Sequence, residues 1–370
     1  MSAIDAVLNL GLRATRRLQS AHKPFVRFMR RSARADEHRS YRDAAADLDR
    51  RIASLAAGTA PIVVGPWLAE VGYEVLYWIP FLRWFQDAHG VSRDRLVVVS
   101  RGGMEAAYAS LAATYVDLFD LIGPEALAAR NAERRSYVEG GGQKQSGTSA
   151  LDDELVAAVQ QRLGLSAAVV CHPSMMFTLF RQVWHDNLPF DVLWRHTRYA
   201  TVEHDAFASG PGASSIPADF IAVKIYAGPA LSVNATTQRL VRDLVARAAT
   251  IAPVVVFDAN IGVDEHRDFD LAGLAHVTSA RSLMTPRTNL GVQLSLLARS
   301  RFFLSTCGGL AWLAPFLGVP TVAIYDSDRL LGPHLFVARQ AGARAKAADF
   351  NAVDLRGIDR LEPAGVVTVP

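Results

Sequence analysis

The stretch from Arg301 to Asp326 limits the fold of this chain more than any other segment. Two short apolar runs, Phe302 to Ser305 and Pro320 to Tyr325, flank the turn Thr306-Cys307-Gly308-Gly309 and an apolar segment from Leu310 to Leu317. Apolar runs of this length predict buried strands, and the segment between them has the length of a two-turn helix. The order strand, turn, helix, strand predicts a βαβ unit whose two strands are parallel.

The turn inside this unit is a candidate anion site. It brings small side chains, hydroxyls and backbone amides to a predicted helix N-terminus at the carboxyl edge of a parallel sheet, where open α/β proteins bind phosphate groups. Ser305, Thr306, Gly308 and Gly309 are therefore candidate phosphate ligands. The alternative is a close-packed glycine turn that binds no ligand.

The composition is that of a globular protein with room for two domains. The chain has 370 residues, of which 50% are hydrophobic and 20% are charged, and a chain of this length can bury two cores. Its net charge of +3 is too small to indicate nucleic-acid binding. Cys171 and Cys307 lie far apart and have no metal-ligand spacing, which favours a reduced, cytosolic compartment. The sequence contains no apolar run of about 18 residues, the length that a transmembrane helix needs, and no signal-peptide layout.

Residues 1–50 differ from the rest of the chain in charge. Basic side chains recur from Arg13 to Arg34 with leucine and phenylalanine between them, and Asp5 is the one acidic residue before Asp36. A basic amphipathic extension of this kind can bind an anionic membrane surface, which predicts a peripheral position on the inner face of the membrane. The alternative is a solvated helical extension or a partly ordered arm.

Both halves of the remaining chain alternate predicted strands with predicted helices. The strands are predicted at 61–64, 95–100, 115–121 and 167–170, and then at 220–226, 254–257, 302–305 and 320–325. This alternation predicts an α/β protein with two Rossmann-like parallel-sheet domains, residues 51–205 and 218–345, that face each other across a cleft. Residues 206–217, rich in Gly, Ser and Pro, are the predicted linker, residues 346–370 a C-terminal tail, and residues 131–150 a mobile polar loop.

The loop after the first strand supplies candidate catalytic carboxylates. Glu70 and Glu74 are four residues apart around Gly72, and a carboxylate at this edge of the sheet can take a proton from an attacking hydroxyl. Glu70 is the preferred base. The alternative for both is a helix N-terminal acid that interacts with the macrodipole. Gly72, Arg101 and His172 are the candidate acceptor-binding residues, although a lone histidine is more often a hydrogen-bonded structural residue.

Candidate donor-binding residues follow the strands of the second half. Lys224 and Tyr226 share a side-chain direction on one predicted strand. A lysine in an apolar strand needs a partner such as a phosphate, unless its ammonium snorkels to solvent at the strand end. Asp258 ends the next strand and can accept a hydrogen bond from a ribose or a base. Asn289 and Gln293 place two amides on one face of a predicted helix.

Several motifs resemble those of bacterial glycosyltransferases of the two-domain GT-B type. The resemblance covers roughly residues 60–340 and includes enzymes of cell-surface polysaccharide synthesis and, more distantly, the lipopolysaccharide heptosyltransferases. The matching motifs are Gly65-Pro66-Trp67, Glu70 to Glu74, the helix from Tyr77 to Arg83, Asn289 to Gln293, and Ser305 to Gly309 with Ala314 to Pro320.

The resemblance implies a nucleotide-sugar donor bound mainly by the second domain, a glycan or lipid-linked acceptor bound by the first, and no required metal or other cofactor. In the heptosyltransferases the base is an acid in the loop after the first strand, the position that Glu70 occupies here. The turn from Ser305 to Gly309 lacks the Asp and His found around the heptosyltransferase turn, which argues against ADP-heptose as the donor.

One motif competes with the metal-independent interpretation. Asp326-Ser327-Asp328 has the spacing with which metal-dependent glycosyltransferases hold a divalent cation against a diphosphate. Lys224 and a helix N-terminus could neutralise the diphosphate instead, so no metal is expected. The sequence has no P-loop motif and no Gly-x-Ser-x-Gly elbow.

The sequence thus predicts a cytoplasmic, metal-independent glycosyltransferase that moves a hexosyl- or heptosyl-type sugar from a nucleotide diphosphate to a hydroxyl in polysaccharide or lipopolysaccharide synthesis. Two alternatives stay open. One is a nucleotide-sugar epimerase on the same fold, and the other is a non-catalytic protein that binds nucleotide sugars or glycans beside an active enzyme.

Overall fold

The computed structural model describes residues 39–137, 145–202, 207, 216–258, 267–328 and 331–358. The basic extension up to residue 38 and most of the predicted linker lie outside these ranges. Helix α1, residues 39–57, leads into the first sheet. Among the helices of the described ranges, none is both long enough and apolar enough to cross a membrane.

The first sheet has four parallel strands in the order β3-β2-β1-β4. They are β1 Ile62–Val64, β2 Leu96–Ser100, β3 Thr114–Asp117 and β4 Val169–Cys171. The register places Val63 beside Val97 of β2 and beside Val170 of β4. All residues of β1 and β2 are buried, which explains why both strands are continuous apolar runs without alternation.

The helices of the first half cover both faces of this sheet. They are α2 Val71–Tyr73, α3 Ile79–His89, α4 Glu105–Tyr108, α5 Pro124–Tyr137, α6 Ala150–Leu163, α7 Ser174–Trp184 and α8 Phe190–Arg195. A π-helical turn, Glu74–Trp78, joins α2 to α3. Pro80 is the second residue of α3 and has no N–H, and the carbonyl of Leu76, four residues before it, accepts from the Tyr199 hydroxyl at 2.8 Å.

The second sheet has six parallel strands in the order β12-β11-β10-β5-β7-β9. They are β5 Ile221–Lys224, β7 Val254–Val256, β9 Val277–Ser279, β10 Phe302–Thr306, β11 Thr321–Tyr325 and β12 Phe350–Asp354. A short antiparallel pair, β6 Tyr226–Ala227 with β8 Arg267–Asp268, lies beside it. The helices are α9 Ala235–Ile251, α10 Asn289–Arg299 and α11 Gly332–Ala345.

The core has three parts. One apolar cluster packs on the outer face of the first sheet and another on the outer face of the second. The largest cluster runs through both halves and includes Trp67, Trp78 and Phe177 of the first with Phe303 and Trp312 of the second. The rings of Trp78 and Phe177 both stack on Trp67, with centroids 5.9 and 5.8 Å from it. The two parallel sheets are therefore joined by shared packing.

Four predicted boundaries are wrong, each for a local reason. The segment 310–317 forms two 3₁₀ turns, Gly309–Trp312 and Ala314–Leu317, because Pro315 has no N–H to continue an α-helix. The strand predicted at 115–121 ends at Asp117, whose carboxylate accepts from Phe119 N and starts a 3₁₀ turn. Helix α5 extends into the predicted loop 131–150. The predicted tail contains β12, which completes the second sheet.

Candidate functional site

The strand order of the second sheet defines where a ligand would bind. Its six parallel strands, in chain order, are β5, β7, β9, β10, β11 and β12. If they are renumbered 1 to 6, their order across the sheet is 3-2-1-4-5-6, which is the dinucleotide-binding arrangement. The direction of the winding reverses between β5 and β10. Such a switch point leaves a crevice at the carboxyl ends of the two central strands. Lys224 ends β5 there and Thr306 ends β10.

The predicted phosphate turn lies at this switch point, but its two hydroxyls are engaged with backbone. Ser305 Oγ donates to Lys224 O at 2.8 Å. Thr306 Oγ1 accepts from Tyr226 N at 2.9 Å and donates to Tyr226 O at 2.8 Å. Both side chains are fully buried. They therefore fasten β10 to the segment after β5, and their predicted role as donor ligands stays a prediction.

The two glycines are the part of the turn that faces the crevice. Gly308 has φ 123° and Gly309 has φ 48°, backbone conformations that side chains with a Cβ rarely adopt. A Cβ on either residue would also lie 3.2 to 3.3 Å from the Tyr226 hydroxyl. Glycine is required here both by the backbone angle and by the closeness of Tyr226.

The carboxylate loop of the first half lies directly against this turn. Glu70 is the N-cap residue of α2, with extended backbone angles, and Gly72 is the second residue of this short helix. A Cβ on Gly72 would be 3.0 Å from Gly309 N and 3.3 Å from the Trp312 indole. The predicted juxtaposition of these two segments across the domain boundary is therefore present in the structure.

Between the two segments lies a cavity of about 150 Å³, which we call the interface cavity. Its polar groups come from Glu70, three tyrosines, a histidine and the glycine turn, and its walls are otherwise apolar. No Lys or Arg is among its lining residues in the part of the chain that the structure describes. The lining residues are Glu70, Val71, Gly72, Tyr73, Leu76, Tyr77, Tyr226, Pro229, Ala230, Leu290, Cys307, Gly308, Gly309, Leu310, Trp312, Leu331 and His334.

His334 is a site residue that sequence reasoning missed. It lies in the first turn of α11, in the second half, and both its ring nitrogens face tyrosines of the first half. Nδ1 is 2.5 Å from the Tyr77 hydroxyl, and Nε2 is 3.2 Å from the Tyr73 hydroxyl. A lone histidine after Gly-Pro has no motif around it. Only the packing of α11 against α2 and the π-helical turn reveals its position.

Glu74 is separated from the interface cavity and lies in the core of the first half. Its Oε1 accepts from Ser100 Oγ at 2.5 Å and from Tyr108 OH at 2.6 Å, and its Oε2 has no hydrogen-bond partner among the residues that the structure describes. Burial raises the pKa of Glu74 to about 7, although the two hydroxyls and Arg101 act in the opposite direction. The predicted catalytic role of Glu74 is untested, and its position is that of a buried, readily protonated acid.

Two of the predicted acceptor residues, Arg101 and His172, also lie outside the interface cavity. Arg101 is buried, and its guanidinium donates to Ala69 O at 3.4 Å. His172 is held between Asp152 Oδ1 at 3.1 Å and Ser174 Oγ at 2.9 Å. These contacts connect the end of β2 to the loop before α2, and the end of β4 to α6 and α7. Gly72 is the one predicted acceptor residue in the cavity lining.

The predicted donor residues are spread along the carboxyl edge of the second sheet. Lys224 Nζ donates to Phe257 O at 3.1 Å and lies 6.0 Å from the Tyr226 ring centroid. Asp258 follows β7, where it accepts from Ser279 Oγ at 2.5 Å and pairs with Arg281. Thus Asp258, Lys224 and the glycine turn follow β7, β5 and β10, three neighbouring strands.

The two predicted amides of α10 bind each other instead of facing the cavity. Gln293 Nε2 donates to Asn289 Oδ1 at 2.5 Å, and Gln293 is almost fully buried. The start of α10 packs against the turn after β2, where Gly291 N donates to Gly102 O at 2.9 Å. Their predicted role in donor binding stays a prediction.

The Asp326-Ser327-Asp328 motif is divided between two structural contacts. The Asp326 carboxylate accepts from Ser232 N at 3.0 Å, whereas Asp328 pairs with Arg356 at 3.1 Å. Within the described ranges, no group of three or more His, Cys, Asp or Glu side chains is arranged to hold a metal ion.

Solved structures similar to this chain include three bacterial enzymes. The ADP-heptose lipopolysaccharide heptosyltransferase II of E. coli is 14% identical over 74% of this chain and 87% of its own, with a TM-score of 0.40. A glycosyl transferase family 9 protein from Veillonella parvula is 14% identical over 72% of this chain and 80% of its own, at 0.38. A putative UDP-N-acetylglucosamine 2-epimerase from Listeria monocytogenes is 12% identical over 80% and 94%, at 0.36. No protein-family model and no curated protein matches the chain.

Proposed function

We propose that this protein is a glycosyltransferase that moves a sugar from a nucleoside diphosphate to a hydroxyl of a glycan or glycolipid. One observation carries the proposal: the Glu70 loop of the first sheet lies against the Gly308-Gly309 turn at the switch point of the second sheet. This arrangement places a carboxylate beside the position where an α/β sheet of this order binds a nucleotide.

The order of groups along the second sheet supports a nucleotide-sugar donor. Asp258 after β7 is suited to a ribose or base, Lys224 after β5 to the diphosphate, and the glycine turn after β10 to its junction with the sugar. Nucleoside, diphosphate and sugar follow one another in the same order in the donor. Backbone amides and a lysine would stabilise the negative charge that develops on the departing diphosphate.

Glu70 would act as the general base toward the acceptor. Among the described residues it is the one carboxylate that lines the interface cavity, whereas Glu74 is enclosed in the core. A carboxylate that takes the proton of the attacking hydroxyl increases its nucleophilicity as the bond to the sugar forms. We propose that the reaction needs no metal and that Lys224 and the amides of the turn would compensate the diphosphate charge.

The test compares Glu70→Gln with Glu125→Gln, an exposed glutamate on α5. First, thermal shifts with ADP, GDP, UDP, CDP and dTDP and with their glucose conjugates identify the nucleotide that the wild-type protein binds. Release of that nucleoside diphosphate from its sugar conjugates is then measured with bacterial glycolipid extracts as acceptors.

We expect Glu70→Gln to retain binding and to lose at least about 100-fold in release, as the loss of a general base predicts, while Glu125→Gln behaves as wild type. Equal turnover in the two variants would exclude Glu70 as the base. Conversion of the free nucleotide sugar to an epimer, without an acceptor, would replace the proposal by an epimerase. Absence of any nucleotide binding would contradict both.

A further inference from the structure

The interface cavity differs chemically from an anion site. Its described lining contains the Glu70 carboxylate and no basic side chain, so a phosphate placed inside it would face a like charge. The Lys224 ammonium, at the end of β5, is outside the lining and donates to Phe257 O. The cavity does combine a carboxylate acceptor, hydroxyl and amide donors, and aromatic walls. A neutral ligand with many hydroxyls matches these groups.

The contacts of His334 define which way the hydroxyl protons point. The contact of 2.5 Å between Tyr77 OH and Nδ1 is shorter than the N–H···O range of about 2.7–3.2 Å and fits a hydroxyl donor. We therefore assign Tyr77 as the donor and Nδ1 as the acceptor. A neutral imidazole with an accepting Nδ1 carries its proton on Nε2, and Nε2 is 3.2 Å from the Tyr73 oxygen. With this assignment Tyr73 accepts from His334 and can itself act as a donor.

Packing keeps this arrangement in one orientation. The ring of Trp184 lies 5.2 Å from that of His334, 5.4 Å from that of Tyr73 and 4.8 Å from that of Tyr77, measured between centroids. Tyr77 is fully buried, whereas Tyr73 is partly exposed and lines the interface cavity. Burial and the charge of Glu70 raise the pKa of Tyr73, so its hydroxyl stays protonated as a donor.

We propose that the interface cavity binds the sugar of the donor, with Tyr73 donating a hydrogen bond to a sugar oxygen beside Glu70 and His334 acting as the residue that orients Tyr73. The inference rests on the proposed function and adds the substrate part that this cavity recognises. The diphosphate then lies outside it, between the glycine turn and Lys224. Both ring nitrogens of His334 are engaged with tyrosines, so His334 acts on the sugar through Tyr73.

The experiment measures two affinities for each variant by calorimetry: one for the nucleoside diphosphate selected by the panel, and one for its glucose conjugate or the best-binding sugar conjugate of the panel. Tyr73→Phe and His334→Asn are compared with wild type. Tyr199→Phe is the matched control, because the Tyr199 hydroxyl donates to Leu76 O at 2.8 Å in the same helical region and lies outside the interface cavity.

We expect Tyr73→Phe to weaken binding of the nucleotide sugar about three- to tenfold, the usual effect of one lost hydrogen bond, with binding of the nucleoside diphosphate unchanged. His334→Asn should have the same selective effect. In the double variant the two effects should not add, since the histidine acts through the tyrosine. Tyr199→Phe should leave both affinities unchanged.

The outcomes separate this inference from the function on which it rests. The inference would be overturned if Tyr73→Phe weakened the affinities for the diphosphate and for the sugar conjugate equally, or weakened neither. The proposed binding of a nucleotide by the wild-type protein would still stand in both cases. Additive losses in the double variant would overturn the role of His334. If wild type binds neither ligand, the proposed function itself fails. Should Tyr73→Phe not fold, His334→Asn gives the same comparison with the same two readings.

Discussion

Gly72 packs against the Gly309 amide where the two halves meet, and Gly72 has no room for a side chain on the side that faces Gly309. A Cβ on Gly72 would lie 3.0 Å from Gly309 N and 3.3 Å from two atoms of the Trp312 indole. Real Cβ atoms are rarely this close to a backbone atom, so the helix or the turn would have to move. The closeness of the two domains at the interface cavity therefore depends on the absence of a single methyl group.

Gly72→Ala should destabilise the protein although alanine is the better helix former. Overpacking of a tight contact typically costs about 1–3 kcal/mol, which exceeds the gain in helix propensity of at most about 1 kcal/mol. Gly342→Ala in α11 is the control, because its nearest atom would be 3.9 Å away, and it should gain stability. Urea unfolding measures both changes. If Gly72→Ala were as stable as wild type or more stable, the two segments would be able to move apart without lowering the free energy of unfolding.

The pKa of Glu74 makes stability depend on pH in a defined direction. Burial raises this pKa from 4.5 to about 7 in the folded protein, so between these values the folded state binds a proton that the unfolded chain releases. The free energy of unfolding should therefore fall as the pH rises from about 4.5 to about 7, by about 3 kcal/mol in total, and stay level above that.

Glu74→Gln should remove this dependence. Glutamine keeps the volume and an oxygen that accepts from Ser100 and Tyr108, and it cannot ionise. We expect the variant to gain stability relative to wild type as the pH is raised from 5 to 8, measured by urea unfolding across that range. Glu125→Gln, at an exposed position, should show no such trend. A difference between Glu74→Gln and wild type that is the same at every pH would contradict the raised pKa.

Much of the architecture could be predicted from the sequence, because buried parallel strands are continuous apolar runs. The βαβ unit around Gly308, the strand that leads to Glu70, and the alternation in both halves depend on local patterns that one sequence displays. The closing strand β12, Phe350–Asp354, was missed because its burial alternates at the sheet edge and Asn351 and Asp354 interrupt the apolar run. Its pairing with β11 is a long-range property.

The site was predictable only in part for a related reason. The loop with Glu70 and Gly72 meets the turn with Gly308 and Gly309 because both segments lie at the carboxyl ends of central strands. This rule follows from topology. Hydroxyl direction does not follow from topology, so the engagement of Ser305 with backbone could not be foreseen. His334 reaches the cavity through the packing of three helical segments from two domains, and no spacing in the sequence encodes that contact.

At a second contact between the halves, Arg287 faces two carboxylates, of which Asp117 is buried and Asp120 is partly exposed. Asp117 is fully buried, and its carboxylate accepts from Gly103 N at 2.7 Å, Tyr115 OH at 3.1 Å and Phe119 N at 3.0 Å. Arg287, from the second half, lies 3.4 Å from it and 2.7 Å from the partly exposed Asp120. The same arginine thus joins a buried and a solvated carboxylate.

Asp117→Asn should therefore destabilise the protein by about 2–3 kcal/mol and Asp120→Asn by less than about 1 kcal/mol. An amide in place of the Asp117 carboxylate turns one acceptor into a donor that faces a backbone N–H, and buried donors left without a partner are costly. The Asp120 pair is weakened by solvent, as exposed ion pairs usually are.

Urea unfolding at low and at high salt distinguishes the two variants. Added salt should reduce the small effect of Asp120→Asn and leave the effect of Asp117→Asn nearly unchanged. Similar losses with similar salt dependence would show that Arg287, and not the buried hydrogen bonds of Asp117, holds this contact.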